Sequence, residues 1–217
     1  MKHLFKLIVS QSLVLASLVF LFTSAHAQTF SFCVFESSDI SDTSLLTSIH
    51  INATLTQNGD AVDILIMNDS IPGDDWVTSE VPTITKIAFD DDSGLSLPAP
   101  TFSNSPPDVI FGIDNSLNIP GSNNIGFTTT YGFIADPPPT TTGLDPGEAL
   151  LVSFADTNIA ALEQAMNNGD LRIAVHVQQI GSASTDDGAS FVNKIPEPSS
   201  TILMGIAALI GISVRKR

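Results

Sequence analysis

Short runs of alternating apolar and polar residues, separated by turn-forming residues, recur through the middle of this 217-residue chain. Apolar residues occupy every second position over 49–55, as in a strand with one buried face. Asn58-Gly59 follows, which is a strong signal for a tight turn, and residues 61–68 form a second strand-like run. The pattern predicts an antiparallel hairpin, and its repetition along the chain predicts an all-β fold.

Other parts of the chain carry the same signal. Further strand-like runs cover residues 83–90, 109–113, 127–133, 149–154, 171–178 and 189–192. Residues 95–107 contain four prolines and residues 137–142 join three prolines to three threonines, so both stretches are expected to form loops. We therefore predict one domain built as a single antiparallel β-sandwich, jelly-roll-like in its connections.

One short helix is expected to interrupt these strands and to pack on an edge of the sandwich. Its apolar face is formed by Ile159, Leu162 and Met166. Asp156 or Thr157 can cap its start, and Gly169 provides a stop.

The amino-terminal segment has the pattern of a secretory signal peptide. Lys2 and Lys6 precede an apolar stretch over 7–22, and Ala25-His26-Ala27 follows as a cleavage site of the Ala-x-Ala kind. We expect signal peptidase to remove residues 1–27, which leaves Gln28 as the first mature residue. An uncleaved signal anchor is the alternative interpretation.

The carboxyl-terminal segment combines a rigid motif with a short apolar run. Residues preceding proline are pushed out of the helical region, so Ile195 followed by Pro196-Glu197-Pro198 is expected to be extended. A helix over 199–214 would be roughly 24 Å long, slightly short for a bilayer core of about 30 Å. The terminal cations Arg215, Lys216 and Arg217 would hold its end at the cytoplasmic face as a membrane stop.

This combination resembles the PEP-CTERM sorting signal of bacteria. The resemblance is carried by Pro196, Glu197 and Pro198, by the small hydroxyl residues after them, by the apolar run and by the basic end. It implies that an exosortase recognises the segment, and that a membrane-embedded cysteine peptidase cuts it in bacteria that export polysaccharide. The scissile bond and the final attachment stay open.

The part of the chain between the two ends is expected to be the exported domain. The resulting organisation is a signal peptide at 1–27, a secreted β-sandwich at 28–194 and a sorting signal at 195–217. Within the domain, residues 130–137 and 169–178 look like mature regions common in bacterial PEP-CTERM proteins. Such regions carry no established activity.

Acidic residues dominate the exported part. All 23 Asp and Glu residues lie between Glu36 and Glu197, where only Lys86, Arg172 and Lys194 oppose them, giving a net charge of −20. Such a charge disfavours nucleic acid and anionic membranes as partners, and it favours solubility or divalent cations.

The cluster Asp90, Asp91 and Asp92 is the candidate calcium site, because loop carboxylates suit a hard cation. Its glycine falls one position too early for an EF-hand loop. The alternative is a solvated turn, and no other cofactor is expected.

The sequence offers little that resembles a catalytic site. It contains no Gly-x-Ser-x-Gly motif. The histidines left after signal removal, His50 and His176, lie on the polar side of their strands and are expected to be exposed. Cys33 lies in an aromatic run over 30–35 and is expected to pack in the interior; an intermolecular disulfide is the alternative.

These observations predict a non-enzymatic protein of the cell surface or extracellular matrix, with a structural or adhesive role and extracellular polysaccharide as a partner. The alternative is a carbohydrate-binding module that uses Trp76 or Tyr131 for stacking. A third hypothesis is an enzyme acting on polysaccharide, which would need two carboxylates facing each other across a cleft.

Overall fold

Antiparallel strands form the framework of the structure, a computed structural model that describes residues 27–40, 42–71, 81–181 and 187–194. The strands are β1 (Ala27–Glu36), β2 (Ile51–Asn58), β3 (Ala61–Asn68), β4 (Thr83–Asp91), β5 (Thr101–Ser105), β6 (Phe111–Ile113), β7 (Tyr131–Ala135), β8 (Ala149–Phe154), β9 (Leu171–Gln178) and β10 (Gly188–Asn193). Two α-helices, α1 (Pro139–Thr142) and α2 (Ile159–Asn168), and two 3-10 helices, Thr43–Ser48 and Ser122–Ile125, connect them.

All ten strands belong to one continuous sheet with the order β5-β8-β3-β2-β1-β10-β9-β4-β7-β6. Strand β1 joins two halves of this sheet, because its first residues pair with β2 and its later residues pair with β10. We call β5, β8, β3 and β2 the β3 half, and β10, β9, β4, β7 and β6 the β4 half. The predicted mostly-β, antiparallel fold is confirmed, but the strands form one nearly closed sheet rather than the two separate sheets of a jelly roll.

The inner faces of the two halves pack against each other. Phe89 of β4 meets Phe154 of β8 edge to face with ring centroids 5.6 Å apart, and Phe102 of β5 meets Phe133 of β7 at 5.2 Å. Edge-to-face pairs of this kind add about 0.5–1.5 kcal/mol to the burial of the rings. The aromatic residues of the core therefore hold the halves together.

The hairpin predicted around Asn58-Gly59 is present. Strands β2 and β3 pair in register from Ile51 opposite Asn68 to Asn58 opposite Ala61, and Gly59 adopts a left-handed φ of 60° at the turn. Such a φ is favoured in glycine because it has no Cβ.

Helix α2 has the apolar face that the sequence predicts, with Ile159, Leu162 and Met166 buried, and it ends at Gly169 with a φ of 80°. Its cap differs from the prediction. The side chain of Asn158, rather than Asp156 or Thr157, accepts a hydrogen bond from the Ala160 amide at 2.9 Å. The capping oxygen must come from the residue directly before the helix, because its side chain can reach the free amides of the first turn.

Two other local predictions are wrong. Strand β5 lies inside the stretch 95–107 that was expected to be a loop, and α1 lies where a stiff loop was expected. Strand β5 is an edge strand paired only with β8 in the described part of the sheet, so the prolines that flank it do not interrupt a ladder on its other side.

The segment 114–130, which we call the outer segment, covers the outer face of the β4 half. Its side chains Leu117, Ile119 and Phe127 form a second apolar cluster with Ala88 of β4 and Ala174 of β9. A strand over 127–133 was expected, but the strand begins only at Tyr131 because the residues before it pack across the sheet.

Arg172 of β9 fastens the outer segment. Its guanidinium pairs with Asp90 of β4, donates to the carbonyl oxygens of Ile125 at 2.8 Å and Gly126 at 2.6 Å, and lies over the ring of Phe127 at 5.3 Å. The guanidinium of Arg172 therefore makes its polar contacts within the fold. Within the described ranges, no helix is both long and apolar enough to cross a membrane.

Candidate functional site at the end of the last strand

The start of β1 and the end of β10 lie at the same end of the sheet. The two strands are antiparallel neighbours, with Phe32 opposite Asn193, so β1 begins at Ala27, five residues before the position where β10 ends. After the last paired residue, the amide of Lys194 donates to the carbonyl oxygen of Ser31 at 2.7 Å. The side-chain oxygen of Asn193 accepts the amide of Ile173 at 2.6 Å, which gives β9 a partner where β10 ends.

A hollow of about 530 Å³ adjoins this exit point. Its walls include the apolar residues Phe32, Ile49 and Ile51 and the polar residues His50, Asp69 and Lys194. Ile71 at its rim is 70 % exposed. The Asp69 carboxylate accepts a hydrogen bond from the Asn52 amide group at 2.8 Å, which ties the rim to β2. The hollow therefore presents both polar and apolar side chains next to Lys194.

A second hollow, of about 550 Å³, lies on the outer face of the β3 half. It is lined by Leu65, Leu151, Ala149, Ser103, Pro106 and Glu148. Burial raises the pKa of Glu148, and the nearby charges of Asp145 and Asp108 raise it further, against the lowering effect of the hydrogen bond from the Asp145 amide. Burial also raises the pKa of Asp145, with Asp108 adding to the effect and a hydrogen bond from Thr83 opposing it.

These two carboxylates hold a turn. Glu148 accepts the amide of Asp145 at 2.8 Å, and Asp145 accepts the hydroxyl of Thr83 at 2.6 Å. The amide of buried Asn68 completes the arrangement by donating to the carbonyl oxygens of Pro82 and Leu144, at 2.7 and 2.8 Å. In the sequence, only the turn-forming Asp145-Pro146-Gly147 marks this group of residues. The raised pKa values of Asp145 and Glu148 result from the burial of both carboxyl groups at this turn.

The candidate calcium residues are not brought together. Asp90 is buried and pairs with Arg172, whereas Asp91 accepts the amide of Ser93 at 3.0 Å and closes a local turn. Asp92 is exposed. In the described ranges, no group of three or more His, Cys, Asp or Glu side chains is arranged to hold a metal ion. Asp90 and Asp91 point to opposite faces of β4 because successive side chains of a strand alternate, and Asp92 follows the end of the strand.

Tyr131 is half-buried against the core instead of standing free for stacking. Its hydroxyl donates to the carbonyl oxygen of Leu97 at 2.7 Å, and its ring meets that of Phe154 at 6.0 Å. The other candidate for sugar stacking, Trp76, lies outside the described residues.

The two histidines have different surroundings. His50 is exposed, as predicted. The prediction for His176 is wrong, because it is buried with its Nδ1 3.1 Å from the hydroxyl of Ser190. Burial lowers the pKa of His176 to about 4, and the charge of Lys86 contributes to the lowering.

Cys33 is half-buried rather than fully enclosed, and its thiol lies 3.6 Å from the carbonyl oxygen of Val192. Of the residues predicted for signal cleavage, Ala27 is the exposed first residue of β1, opposite Thr56. Ala25, the sorting motif Pro196–Pro198 and the basic triplet 215–217 lie outside the described residues.

Residues 194–217 match the family model described as the PEP-CTERM protein-sorting motif. The match begins at Lys194, the residue that follows β10. No curated protein and no solved structure matches the chain.

Proposed function

We propose that this chain, which carries a PEP-CTERM sorting motif, is a non-enzymatic protein of the cell surface or extracellular matrix with a structural or adhesive role in extracellular polymer. The motif itself implies an exported, surface-associated protein sorted by an exosortase. The observation that carries the proposal is the position of the motif, which starts at Lys194, the residue directly after β10. The enzyme can therefore reach its substrate without opening the domain.

The arrangement of the chain ends supports this route. A signal peptide over 1–27 would lead into β1, and the sorting segment leaves from β10 beside it. Both membrane-directed segments thus depart from one end of the sheet. A folded domain with this topology can be held at the membrane through either terminus before it is processed.

The charge of the domain limits its partners. The net charge of −20 over 36–197 repels anionic lipids and anionic polymers. Arg172 is already paired with Asp90, so few cations face outward to offset this charge. The partner that fits is a neutral polysaccharide, or an anionic one bridged by divalent cations.

The described side chains favour a role without catalysis. The thiol of Cys33 contacts Val192, the imidazole of His176 contacts Ser190, and the carboxylates of Asp145 and Glu148 are tied to a turn. His176 and Ser190 place an imidazole beside a hydroxyl, as acyl-transfer enzymes do, but both side chains are buried, out of reach of a substrate. The alternative of a carbohydrate-binding module now rests on Trp76, because Tyr131 is used in the core.

Sorting can be tested in the native bacterium with the double variant Pro196→Ala/Pro198→Ala. We expect the wild-type protein outside the cell to lack Arg215–Arg217 by intact mass spectrometry, and the double variant to stay in the inner membrane with its tail. Pro107→Ala, an exposed proline in the domain, is the matched control and should be processed normally. Recovery of extracellular protein that still ends in the basic triplet would contradict the proposal.

The role in the matrix can be tested separately. A strain that lacks this protein should release more of its polymer into the medium, and the full-length gene should restore retention. Unchanged polymer retention in the deletion strain would argue against a structural or adhesive task.

A further inference from the structure

The chain contains the dipeptide Asn-Gly twice, at Asn58-Gly59 and at Asn168-Gly169. An asparagine in this context can modify itself. The backbone nitrogen of the glycine bonds to the side-chain carbonyl carbon of the asparagine, and the side-chain nitrogen leaves as ammonia with the proton of the glycine amide. Water then opens the cyclic imide to give aspartate or its isomer, in which the side chain carries the peptide bond. Glycine favours the attack because it has no Cβ to crowd the nitrogen.

The first Asn-Gly lies at the exposed tip of the β2–β3 hairpin. Asn58 is the last residue of β2, opposite Ala61, and Gly59 begins the turn with a φ of 60°. A Cβ built on Gly59 would meet no atom within 4 Å. The Gly59 amide donates to no carbonyl oxygen within the described ranges. The attacking nitrogen is therefore accessible to solvent and free of a competing backbone hydrogen bond.

The second Asn-Gly lies at the end of helix α2 and lacks this freedom. Asn168 is the last residue of the helix, and the Gly169 amide donates to the carbonyl oxygen of Met166 at 3.2 Å. The helical backbone and this capping bond hold the nitrogen away from the Asn168 carboxamide. A displacement of about 1 Å from a reactive geometry can lower a rate by about 100-fold.

Asn52 of β2 offers a second comparison. Its side-chain amide donates to the Asp69 carboxylate at 2.8 Å. Asn58 donates to the Asp63 carboxylate at the same distance. The residue after Asn52 is Ala53, which is buried and lies in the ladder between β1 and β3. Of these three asparagines, only the one at the hairpin tip combines a following glycine with a free backbone nitrogen.

We propose that Asn58 is a self-modifying site of the domain, at which the chain converts to aspartate or its isomer with time, while Asn52 and Asn168 stay intact. The reaction consumes only water, so it proceeds without an enzyme. The product replaces the amide that donates to Asp63 with a second carboxylate, and the two like charges repel. The isomer also adds a carbon atom to the main chain at the turn.

The modified turn is tied to helix α2 through Gln57. The side-chain nitrogen of Gln57 lies 2.9 Å from the carbonyl oxygens of Gly59 and Ala61 and 3.1 Å from that of Thr157. Its side-chain oxygen accepts the amide of Ile159, the first residue of α2, at 2.8 Å. A main chain that is lengthened at the residue next to Gln57 shifts the turn and loosens this tie.

The experiment is incubation of the purified full-length chain in detergent at neutral pH, followed by brief trypsin digestion and mass spectrometry. Asn58 and Asn168 fall into different tryptic peptides, which end at Lys86 and Arg172. We expect the first peptide to exchange amide for acid at least about tenfold faster than the second, because only the first holds a free attacking nitrogen. Equal rates in the two peptides would overturn the proposal.

Two variants assign the reaction to one residue. Asn58→Gln lengthens the side chain and disfavours ring closure, so it should abolish the acid gain in the peptide that ends at Lys86. Asn52→Gln is the matched control, because this residue makes the same kind of contact to a carboxylate, and it should keep the wild-type rate. Acid gain that persists in Asn58→Gln, or that is lost in Asn52→Gln, would contradict the assignment.

Hydrogen exchange tests the tie to α2. The Ile159 amide should exchange at least about threefold faster in the incubated wild-type protein than in fresh protein, because its acceptor on Gln57 is loosened. Fresh and incubated Asn58→Gln should exchange at equal rates. Unchanged exchange at Ile159 in fully modified wild-type protein would overturn the predicted effect on the helix.

Discussion

The two halves of the sheet share one core but differ on their outer faces. In the β3 half, burial alternates along the strands, so that every second residue of β3 and of β8 is buried. In the β4 half, five consecutive residues of β9, from Ile173 to Val177, are buried. The outer segment covers this second half and leaves the first uncovered. Alternation in a sequence therefore identifies a strand without saying what lies on its polar side.

When a segment of the chain covers a polar face of a sheet, the side chains on that face lose contact with water and need hydrogen-bond partners from the protein. In the β4 half, Asp90 pairs with Arg172, and His176 pairs with Ser190. Where β1 pairs with β2 of the β3 half, the hydroxyls of Thr29 and Thr54 meet at 2.9 Å on a solvated surface, where water can replace either partner. Buried polar groups cost free energy unless they are hydrogen-bonded, so the loss of a polar partner should cost more in the covered half.

The largest difference is expected for Arg172→Ala. This substitution leaves the Asp90 carboxylate buried without its cation and releases the outer segment at Ile125 and Gly126. We expect the free energy of unfolding to fall by about 3–5 kcal/mol in urea titrations. Lys86→Ala is the control, because Lys86 also donates to a carbonyl of the outer segment, at 3.4 Å from Asn118, but does so at an exposed position. A similar loss in both variants would show that the ion pair is not the anchor.

A smaller difference is expected when an apolar side chain is removed from each outer face. Phe127→Ala empties a position in the covered half that is 5 % exposed, and it should cost about 3 kcal/mol, the lower end of the range for buried Phe→Ala changes. Leu65→Ala removes a half-buried side chain in the uncovered half and should cost less than about 1 kcal/mol. Thermal or urea unfolding experiments on the two variants measure both losses in the free energy of unfolding. Equal costs would mean that the outer segment does not behave as part of the core.

The smallest effect concerns pH and His176. Its folded-state pKa of about 4 lies below the ordinary value of 6.5, so the unfolded chain binds a proton more readily. The stability from the buried neutral ring is complete above about pH 6.5 and is lost as the pH falls toward 4. Between pH 7.5 and 5 this amounts to about 2 kcal/mol.

The variant His176→Gln should therefore lose less stability than the wild type over this range. Because the variant is compared with the wild type at each pH, the contributions of Asp145 and Glu148 cancel. A constant difference between wild type and His176→Gln at every pH would contradict the assignment.

Much of the fold was predictable from local patterns. The runs over 61–68, 149–154 and 171–178 coincide with β3, β8 and β9, because each of them has a buried face with β-branched or aliphatic residues. Strand β5 was missed because Phe102 is its one large apolar residue, and its pairing with β8 defines it as a strand.

The candidate sites likewise divide into those that local sequence patterns could predict and those that they could not. The sorting motif could be identified from its sequence, because proline restricts its own backbone and that of its neighbour whatever the fold. The calcium cluster, the stacking role of Tyr131 and the exposure of His176 were inferred from local polarity. Each of these depends on which distant segment packs on the residue, as Arg172, Leu97 and Ser190 do here.

By itself, the sequence determined the positions of most strands, the turn at Gly59, the charge of the domain and the presence of a proline-bearing sorting motif. The tertiary structure decided that β1 joins both halves, that the outer segment buries one face, and that β10 ends opposite Phe32 of β1. The physical reason is distance along the chain. Backbone restriction and side-chain alternation act between neighbours, whereas coverage and edge pairing arise from contacts between residues far apart in the sequence.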